Sequence, residues 1–246
     1  FAHGFGCDQN MWRYITPAFE NDYTIVLFDY VGAGKSDITA YNPERYASLQ
    51  GYAKDVLEIC RELKLKDTIF VGHSVSAMIG LLAAIEEPGY FERLIMVGPS
   101  PCYINDEHYK GGFERKDIEG LLETMEKNYI GWANFLAPAI MGNQDRPHLS
   151  NELTESFCST DPIIARQFAE ATFFSDNRED LKKTRVPSLI LQCSEDIIAP
   201  VEVGEYVSKN LVNSTLRVMK ATGHCPHISE PEETISLIRE YLGKAA

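Results

Sequence analysis

The stretch that decides the fold is Val71–Gly80, VGHSVSAMIG, where a short apolar run changes into a helical pattern beside two serines. Thr68–Gly72 (TIFVG) predicts a buried strand and the residues after the serines predict a helix, so Ser74 falls on the turn between them. Such a turn strains the backbone of its middle residue and lifts that side chain above the sheet. The residues two places before and after must be small. Gly72 meets this requirement, whereas Ser76 stands where the usual pattern, G-x-S-x-G, has its second glycine.

The alternation of strand and helix continues along the chain. Further buried strands are predicted at Tyr23–Tyr30, Leu94–Gly98, Ser188–Cys193 and Thr215–Met219, with helices at Leu49–Leu65, Ala77–Glu86, Val201–Asn210 and Glu232–Leu242. Strands that are apolar throughout are typical of a parallel sheet covered on both faces. The order of elements therefore predicts an α/β protein with a mostly parallel, doubly wound sheet.

One segment, residues 101–185, contains no convincing strand. Its patterns predict helices at Glu114–Asn128, Ile130–Met141, Asn151–Cys158 and Pro162–Phe174. A helical insertion before the last two strands is expected to form a lid over the carboxyl edge of the sheet, where open α/β sheets bind ligands. We therefore predict a core of residues 1–100 and 186–246 and a lid of residues 101–185.

Composition and short motifs exclude several classes of function. The net charge of −13 argues against a nucleic-acid partner, and no apolar run approaches the length of a membrane span. The six cysteines are scattered without a C-x-x-C pair, which predicts neither a metal site nor a disulfide framework and favours a reducing, cytoplasmic location. Gly32–Asp37 (GAGKSD) lacks the first glycine of a phosphate loop, because Asp29 stands in its place. No cofactor is predicted.

A nucleophilic serine needs a general base, and the base needs a carboxylate that orients it. On this fold the chain order is serine, then Asp or Glu, then His. Asp196 follows the strand SLILQC, and His224 lies in the loop after the last predicted strand, so both should reach the edge that carries Ser74. Glu195 and His227 remain rival candidates for the carboxylate and the base.

Acyl transfer also requires hydrogen-bond donors for the oxyanion that develops on the substrate. One is expected from the backbone N–H of Val75, directly after the nucleophile, and the other from an earlier loop. The HGFG loop, His3–Gly6, fits this role, with the N–H of Phe5 as the donor. His73, which precedes the nucleophile, is expected to point away from it.

The chain resembles, over its whole length, the RsbQ family of bacterial stress-signalling α/β-hydrolases and the related plant strigolactone and karrikin receptors. The stretches that carry the resemblance include FAHGFGCDQ, LFDYVGAGKSD, FVGHSVSAMIG, EKNYIGW, FCSTDPIIARQFA, LILQCSEDIIAP and GHCPH. It implies an α/β-hydrolase fold with Ser74, Asp196 and His224 as the catalytic triad and Phe5 and Val75 as oxyanion donors. Members of this group carry serine at the last place of the turn, as Ser76 does here.

The resemblance also implies residues before Phe1 that carry the first strands, and a deep apolar pocket under the lid. The implied lining residues are Phe113, Trp132, Leu136, Phe157 and Phe173. Aromatic residues on a helix are more often plain core, so their role stays open, but together they suit a small hydrophobic ligand with an ester or lactone.

Two functions follow as expectations. The first is an RsbQ-like regulator that cleaves or senses such a ligand, with slow turnover, and activates a partner phosphatase of the RsbP type. The alternative is an esterase or lactonase without a signalling partner, or a ligand receptor of the strigolactone and karrikin type.

Overall fold

The computed structural model describes residues 1–243. The last three residues of the predicted core, 244–246, lie outside this range. At the centre is a four-stranded sheet in which all strands are parallel and adjacent in chain order. The strands are β1 (Thr68–His73), β2 (Phe91–Val97), β3 (Ser188–Glu195) and β4 (Ser214–Thr222). The α/β prediction is confirmed, and four of the five predicted strands form.

Helices pack against both faces of this sheet. The helices of the described residues are α1 (Leu49–Glu62), α2 (Val75–Glu86), α3 (Arg115–Lys127), α4 (Tyr129–Met141), α5 (Pro147–Ser159), α6 (Pro162–Phe173), α7 (Val201–Asn210), α8 (Pro226–Ser229) and α9 (Pro231–Tyr241), and of these α1, α2, α7 and α9 cover the sheet. Short 3-10 helices occur at Gln9–Trp12, Thr16–Ala18, Ile38–Ala40, Arg45–Ala47, Pro88–Tyr90 and Arg178–Lys183.

The strands divide their side chains between two apolar layers. Phe70 and Leu94 point into one layer with α1, α2 and α7, whereas their neighbours Val71 and Ile95 point into the other, with α9 and the first 3-10 helices. This alternation follows from the period of two residues in a strand. Because both faces are covered, β1, β2 and β3 are buried over most of their length and read as continuous apolar runs. The edge strand β4 is less buried, and its Arg217, Val218 and Lys220 are exposed.

Helices α3–α6 occupy the segment between β2 and β3 and have an apolar core of their own. Hydrogen bonds join this insertion to the loops at the carboxyl edge of the sheet. The N–H of His224 donates to the carbonyl of Ile140 over 2.9 Å, and the Ser156 hydroxyl donates to the carbonyl of Gly6 over 2.7 Å. The insertion therefore lies over the loops where the sequence places the candidate triad.

The predicted strand at residues 23–30 does not form. These residues are extended, but their neighbour on the way to β1 is only the short segment Phe1–Ala2. The amino group of Phe1 donates to the carbonyl of Val26 over 3.0 Å, and Ala2 forms a single bridge with Gly72. A strand requires a ladder of such bonds, and this contact provides too few.

Two further features of the described residues concern the cysteines and the lengths of the helices. All six cysteines are free, and five of them are buried. Among the described helices, none is long and apolar enough to cross a membrane. The largest error in a helix boundary is α5, which begins at Pro147 instead of Asn151, since proline is favoured at the first position of a helix.

Candidate active site

Ser74 lies at the turn between β1 and α2 with φ 56° and ψ −123°, a conformation that costs energy for any residue with a side chain. Its N–H donates to the carbonyl of Val97 over 2.8 Å, which ties the turn to the end of β2. A Cβ atom on Gly72 would lie 2.5 Å from the carbonyl oxygen of Ser76, so only glycine allows this close approach. The turn therefore has the geometry that the sequence predicts for a presented serine.

A continuous chain of hydrogen bonds joins the three predicted triad residues. The Oγ of Ser74 is 2.8 Å from Nε2 of His224, and Nδ1 of His224 is 2.7 Å from Oδ2 of Asp196. All three residues are buried, each less than a tenth exposed. The imidazole thus bridges the serine and the carboxylate in the order that nucleophile activation requires.

Asp196 is held by the backbone that follows β3. Its Oδ1 accepts hydrogen bonds from the N–H groups of Ile198 and Ala199, at 2.8 and 3.1 Å, which leaves Oδ2 for His224. The rival Glu195 is exposed, and its backbone carbonyl accepts from the N–H of Gly223. The structure therefore places Asp196 rather than Glu195 against the imidazole.

Two further histidines lie behind His224. His73 lines the cavity beside Ser74, and its Nε2 donates to the backbone carbonyl of His224 over 2.8 Å, because a carbonyl can only accept. The ring of His227 packs 4.3 Å from that of His73 and 4.6 Å from that of Trp12, measured between centroids. His227 thus packs among rings, and His224 is the histidine that reaches Ser74.

Burial keeps both of these rings neutral. Desolvation, reinforced by the nearby His224, lowers the pKa of His73 to about 3. Desolvation also lowers the pKa of His227 well below its ordinary value, with His73 as the next cause. Neither ring can therefore add a positive charge next to the base at neutral pH.

The two predicted oxyanion donors are free to bind a ligand. Among the hydrogen bonds of the described residues, none uses the N–H of Phe5 or of Val75. Val75 is the first residue of α2, where the helix dipole favours negative charge. Gly6 has φ +69°, and a Cβ atom there would lie 2.4 Å from the Phe157 ring, so the loop after Phe5 requires glycine.

The cavity beside Ser74 is small, about 30 Å³. Its lining residues are Phe5, Cys7, His73, Ser74, Tyr103, Ile140, Leu153, Phe157, Thr172, Phe173, His224 and Cys225. The cavity in this conformation is smaller than the deep pocket that the resemblance implies, and four rings form much of its lining. We call these four rings, Phe5, Tyr103, Phe157 and Phe173, the aromatic wall.

The five predicted pocket residues separate into two groups. Phe157 and Phe173 belong to the aromatic wall. Trp132 stacks on the Phe157 ring with centroids 5.3 Å apart, and with Leu136 it lies in the apolar core of the insertion. Phe113 is half-buried against the same core. These three residues support the wall from behind.

Sequence reasoning missed Tyr103. It is buried on the wall of the cavity beside Ser74, and this burial raises the pKa of its hydroxyl. The available signal was its position shortly after β2, at the sheet edge where ligands bind.

A larger groove, of about 920 Å³, lies away from this chemistry. It runs between the first turn of α1 and helices α3 and α6, and Arg166 and Glu170 are on its walls. The triad residues do not line it. Size alone would therefore have indicated the wrong site, and we place the candidate active site at Ser74.

Comparison with protein families gives one match over nearly the whole chain. The model of the alpha/beta hydrolase family matches residues 1–237. The chain belongs to the alpha/beta hydrolase family. The predicted fold class is thereby confirmed, and the strand-to-helix serine is an element that this family uses for its nucleophile.

Relatives of this alpha/beta hydrolase include plant proteins with receptor and esterase names. The karrikin insensitive 2 receptor CA of Petunia hybrida is 39% identical, and the strigolactone esterase D14 of Arabidopsis thaliana is 38% identical. Each alignment covers 98% of this chain and 90% of the relative. The solved structure of a hydrolase from Oleispira antarctica is 46% identical with a TM-score of 0.96, over 99% of this chain and 90% of that one.

Proposed function

We propose that this protein is a serine hydrolase that cleaves a small apolar ester or lactone. The observation that carries the proposal is the unbroken hydrogen-bond chain from Asp196 through His224 to Ser74. A serine hydroxyl is a weak nucleophile until a base removes its proton, and this chain supplies an oriented base.

In the proposed mechanism each residue of the site acts through a particular atom. Nε2 of His224 takes the proton of Ser74 Oγ as that oxygen attacks the substrate carbonyl, and Asp196 stabilises the imidazolium. The N–H groups of Phe5 and Val75 donate to the oxyanion of the tetrahedral intermediate. His224 then protonates the leaving alcohol, and a water molecule, activated by the same imidazole, releases the acid from Ser74.

The cavity indicates the class of substrate. Its wall is mostly aromatic and aliphatic, which favours an apolar acyl or lactone group. A cavity of about 30 Å³ is far smaller than the usual pocket for a small ligand, so a substrate must displace part of the aromatic wall before it reaches Ser74. We therefore expect slow turnover, limited by this opening.

Ligand sensing is the biological output that the comparisons favour. The plant relatives described above are named as a karrikin insensitive receptor and a strigolactone esterase, which supports a receptor that also hydrolyses its ligand. An RsbQ-like role, activating a phosphatase of the RsbP type, rests on the sequence resemblance alone. If this protein activated a purified phosphatase of that type, the result would favour the RsbQ-like role over the receptor role.

The hydrolase proposal is tested with p-nitrophenyl acetate and two serine variants. Ser74→Ala should abolish turnover, whereas Ser188→Ala should retain it, because Ser188 is buried at the start of β3 and its hydroxyl donates to the carbonyl of Val186, away from the candidate site. Folding of each variant is checked by circular dichroism. A folded wild type without turnover, or equal turnover in Ser74→Ala, would refute the proposal.

A further inference from the structure

Ser76, which stands where the usual pattern has its second glycine, forms hydrogen bonds through its hydroxyl. Ser76 lies in the first turn of α2, and its Oγ is 2.5 Å from the carbonyl oxygen of His3 and 3.0 Å from the hydroxyl oxygen of Tyr30. All three residues are buried, with at most 1% exposed. A carbonyl can only accept, so Ser76 donates to His3, and the Tyr30 hydroxyl donates to Ser76.

Tyr30 also binds the HGFG loop directly, through its backbone. Its backbone N–H donates to Nε2 of His3 over 3.2 Å, and Nδ1 of His3 donates to the carbonyl of Gly4 over 2.8 Å. His3 is therefore fixed at its ring and at its carbonyl. We call the bonded groups of Tyr30, Ser76 and His3 the Ser76 clamp.

The clamp acts on the loop that carries one oxyanion donor. Phe5 is two residues beyond His3 and lies between Gly4 and Gly6, the two residues of the loop with the greatest backbone freedom. Val75, the other donor, precedes Ser76 on the same turn of α2. A single hydroxyl thus joins the backbone segments that present both donors.

We propose that Ser76 is a positioning residue that sets the Phe5 N–H at the distance from Ser74 that a tetrahedral oxyanion requires. The inference rests on the proposed function, since it assigns a role within the same acyl transfer. Burying a hydroxyl without a hydrogen-bond partner costs free energy. A serine that lacked these bonds would therefore be a poor substitute for glycine at this place. Preorganised donors contribute most of their effect in the transition state.

Ser76→Ala tests the proposal because it removes the hydroxyl with little change of volume. We expect kcat for p-nitrophenyl acetate to fall by about 10-fold to 100-fold, less than for complete removal of a donor, with KM within twofold. Affinity for phenylboronic acid, which forms a tetrahedral adduct with an active serine, should fall by a similar factor. The pH profile of kcat/KM should keep its midpoints because His224 is untouched.

Two further variants separate positioning from a general loss of packing. Tyr30→Phe keeps the ring and removes only the hydroxyl behind Ser76, so a smaller fall of kcat is expected, and the double variant should be no worse than Ser76→Ala alone. Ser188→Ala removes another buried hydroxyl that donates to a carbonyl and should leave kcat within twofold.

The outcomes distinguish this inference from the hydrolase proposal. If the wild type shows Ser74-dependent turnover and Ser76→Ala retains kcat within twofold, the positioning role is refuted and the hydrolase stands. An equal fall in Ser188→Ala, or a shifted pH profile, would also refute it. If Ser76→Ala does not fold, Tyr30→Phe provides the test. A fall of its kcat relative to the wild type supports the positioning role, and an unchanged kcat refutes it. Absence of turnover in the wild type would refute the hydrolase itself.

Discussion

The triad and the aromatic wall meet at Ser74, but different forces hold them. Every functional atom of the triad has a directed hydrogen bond, and Asp196 is fixed by two backbone N–H groups. The side chains of the aromatic wall pack through ring contacts, such as Phe5 to Phe157 and Tyr103 to Phe173, with centroids 5.8 and 5.1 Å apart. Hydrogen bonds require a defined distance and angle, whereas apolar contacts are non-directional. We infer that chemistry depends on the first region and access on the second.

The largest effect is expected from breaking the triad at its carboxylate. Asp196→Asn keeps the size of the side chain but favours the wrong tautomer of His224, so kcat should fall by about 10⁴-fold. Glu195→Gln, at the adjacent exposed position, should stay within twofold of the wild type. Steady-state turnover of p-nitrophenyl acetate measures both, and equal losses would contradict the assignment of the carboxylate.

The aromatic wall is tested by removing its central ring. Phe157→Ala should lower the free energy of unfolding by about 3 kcal/mol, because a large buried side chain is lost, and should raise the relative kcat/KM for esters with longer acyl groups. Phe135 on α4 is 70% exposed, so Phe135→Ala provides the control with little effect on either quantity. Urea unfolding and a series of p-nitrophenyl esters measure the two effects. An unchanged acyl preference in Phe157→Ala would mean that this ring does not control access.

The buried histidines behind the triad predict acid sensitivity. The native state does not protonate His73 until its pKa of about 3, whereas the unfolded chain takes up this proton near pH 6.5. The unfolded state therefore binds more protons between these values, and the free energy of unfolding falls as the pH is lowered through this window. At pH 5 the loss from His73 is about 2 kcal/mol relative to neutral pH.

His73→Gln should reduce this pH dependence, and His148→Gln, at an exposed position, should leave it unchanged. Urea unfolding at pH 7 and pH 5 compares the two variants with the wild type. Identical slopes in all three proteins would show that His73 is not kept neutral by burial.

The smallest effect is expected from an ion pair that joins α5 of the insertion to the segment after the first 3-10 helix. Arg13 donates one hydrogen bond of 2.8 Å to Glu152 and makes a second N···O contact of 2.7 Å, yet both side chains are about a third exposed. Glu152→Gln should therefore cost less than about 1 kcal/mol of unfolding free energy and leave kcat within twofold. The comparison variant is Glu123→Gln, which breaks the exposed pair with Lys127 within α3. A change of kcat confined to Glu152→Gln would show that this pair restrains the wall.

The proximity of the three triad candidates could be predicted from the sequence for a physical reason. Each group lies where a parallel strand ends, and all such ends meet at one edge, so chain order alone brings Ser74, Asp196 and His224 together. The fold class followed similarly from apolar strands separated by helices. The predicted strand at residues 23–30 failed because pairing depends on a neighbour, which composition does not reveal.

The aromatic wall could not be predicted to the same depth. Helical spacing shows that Trp132 and Phe157 are buried, but the rotation of each helix decides which ring faces the cavity and which supports it. Tyr103 lies in a loop without periodicity, so no pattern singled it out. The bonds of Ser76 were equally hidden, because its partners, His3 and Tyr30, are distant in the chain.

Covalent labelling of Ser74 tests the central claim most directly. The wild type is treated with a fluorophosphonate, and the modified residue is located by mass spectrometry of its peptides, with Ser74→Ala and Ser188→Ala in parallel. We predict one label, on Ser74, in the wild type and in Ser188→Ala, and no label in Ser74→Ala. A folded wild type that remains unlabelled, or that carries the label on another residue, would contradict the account.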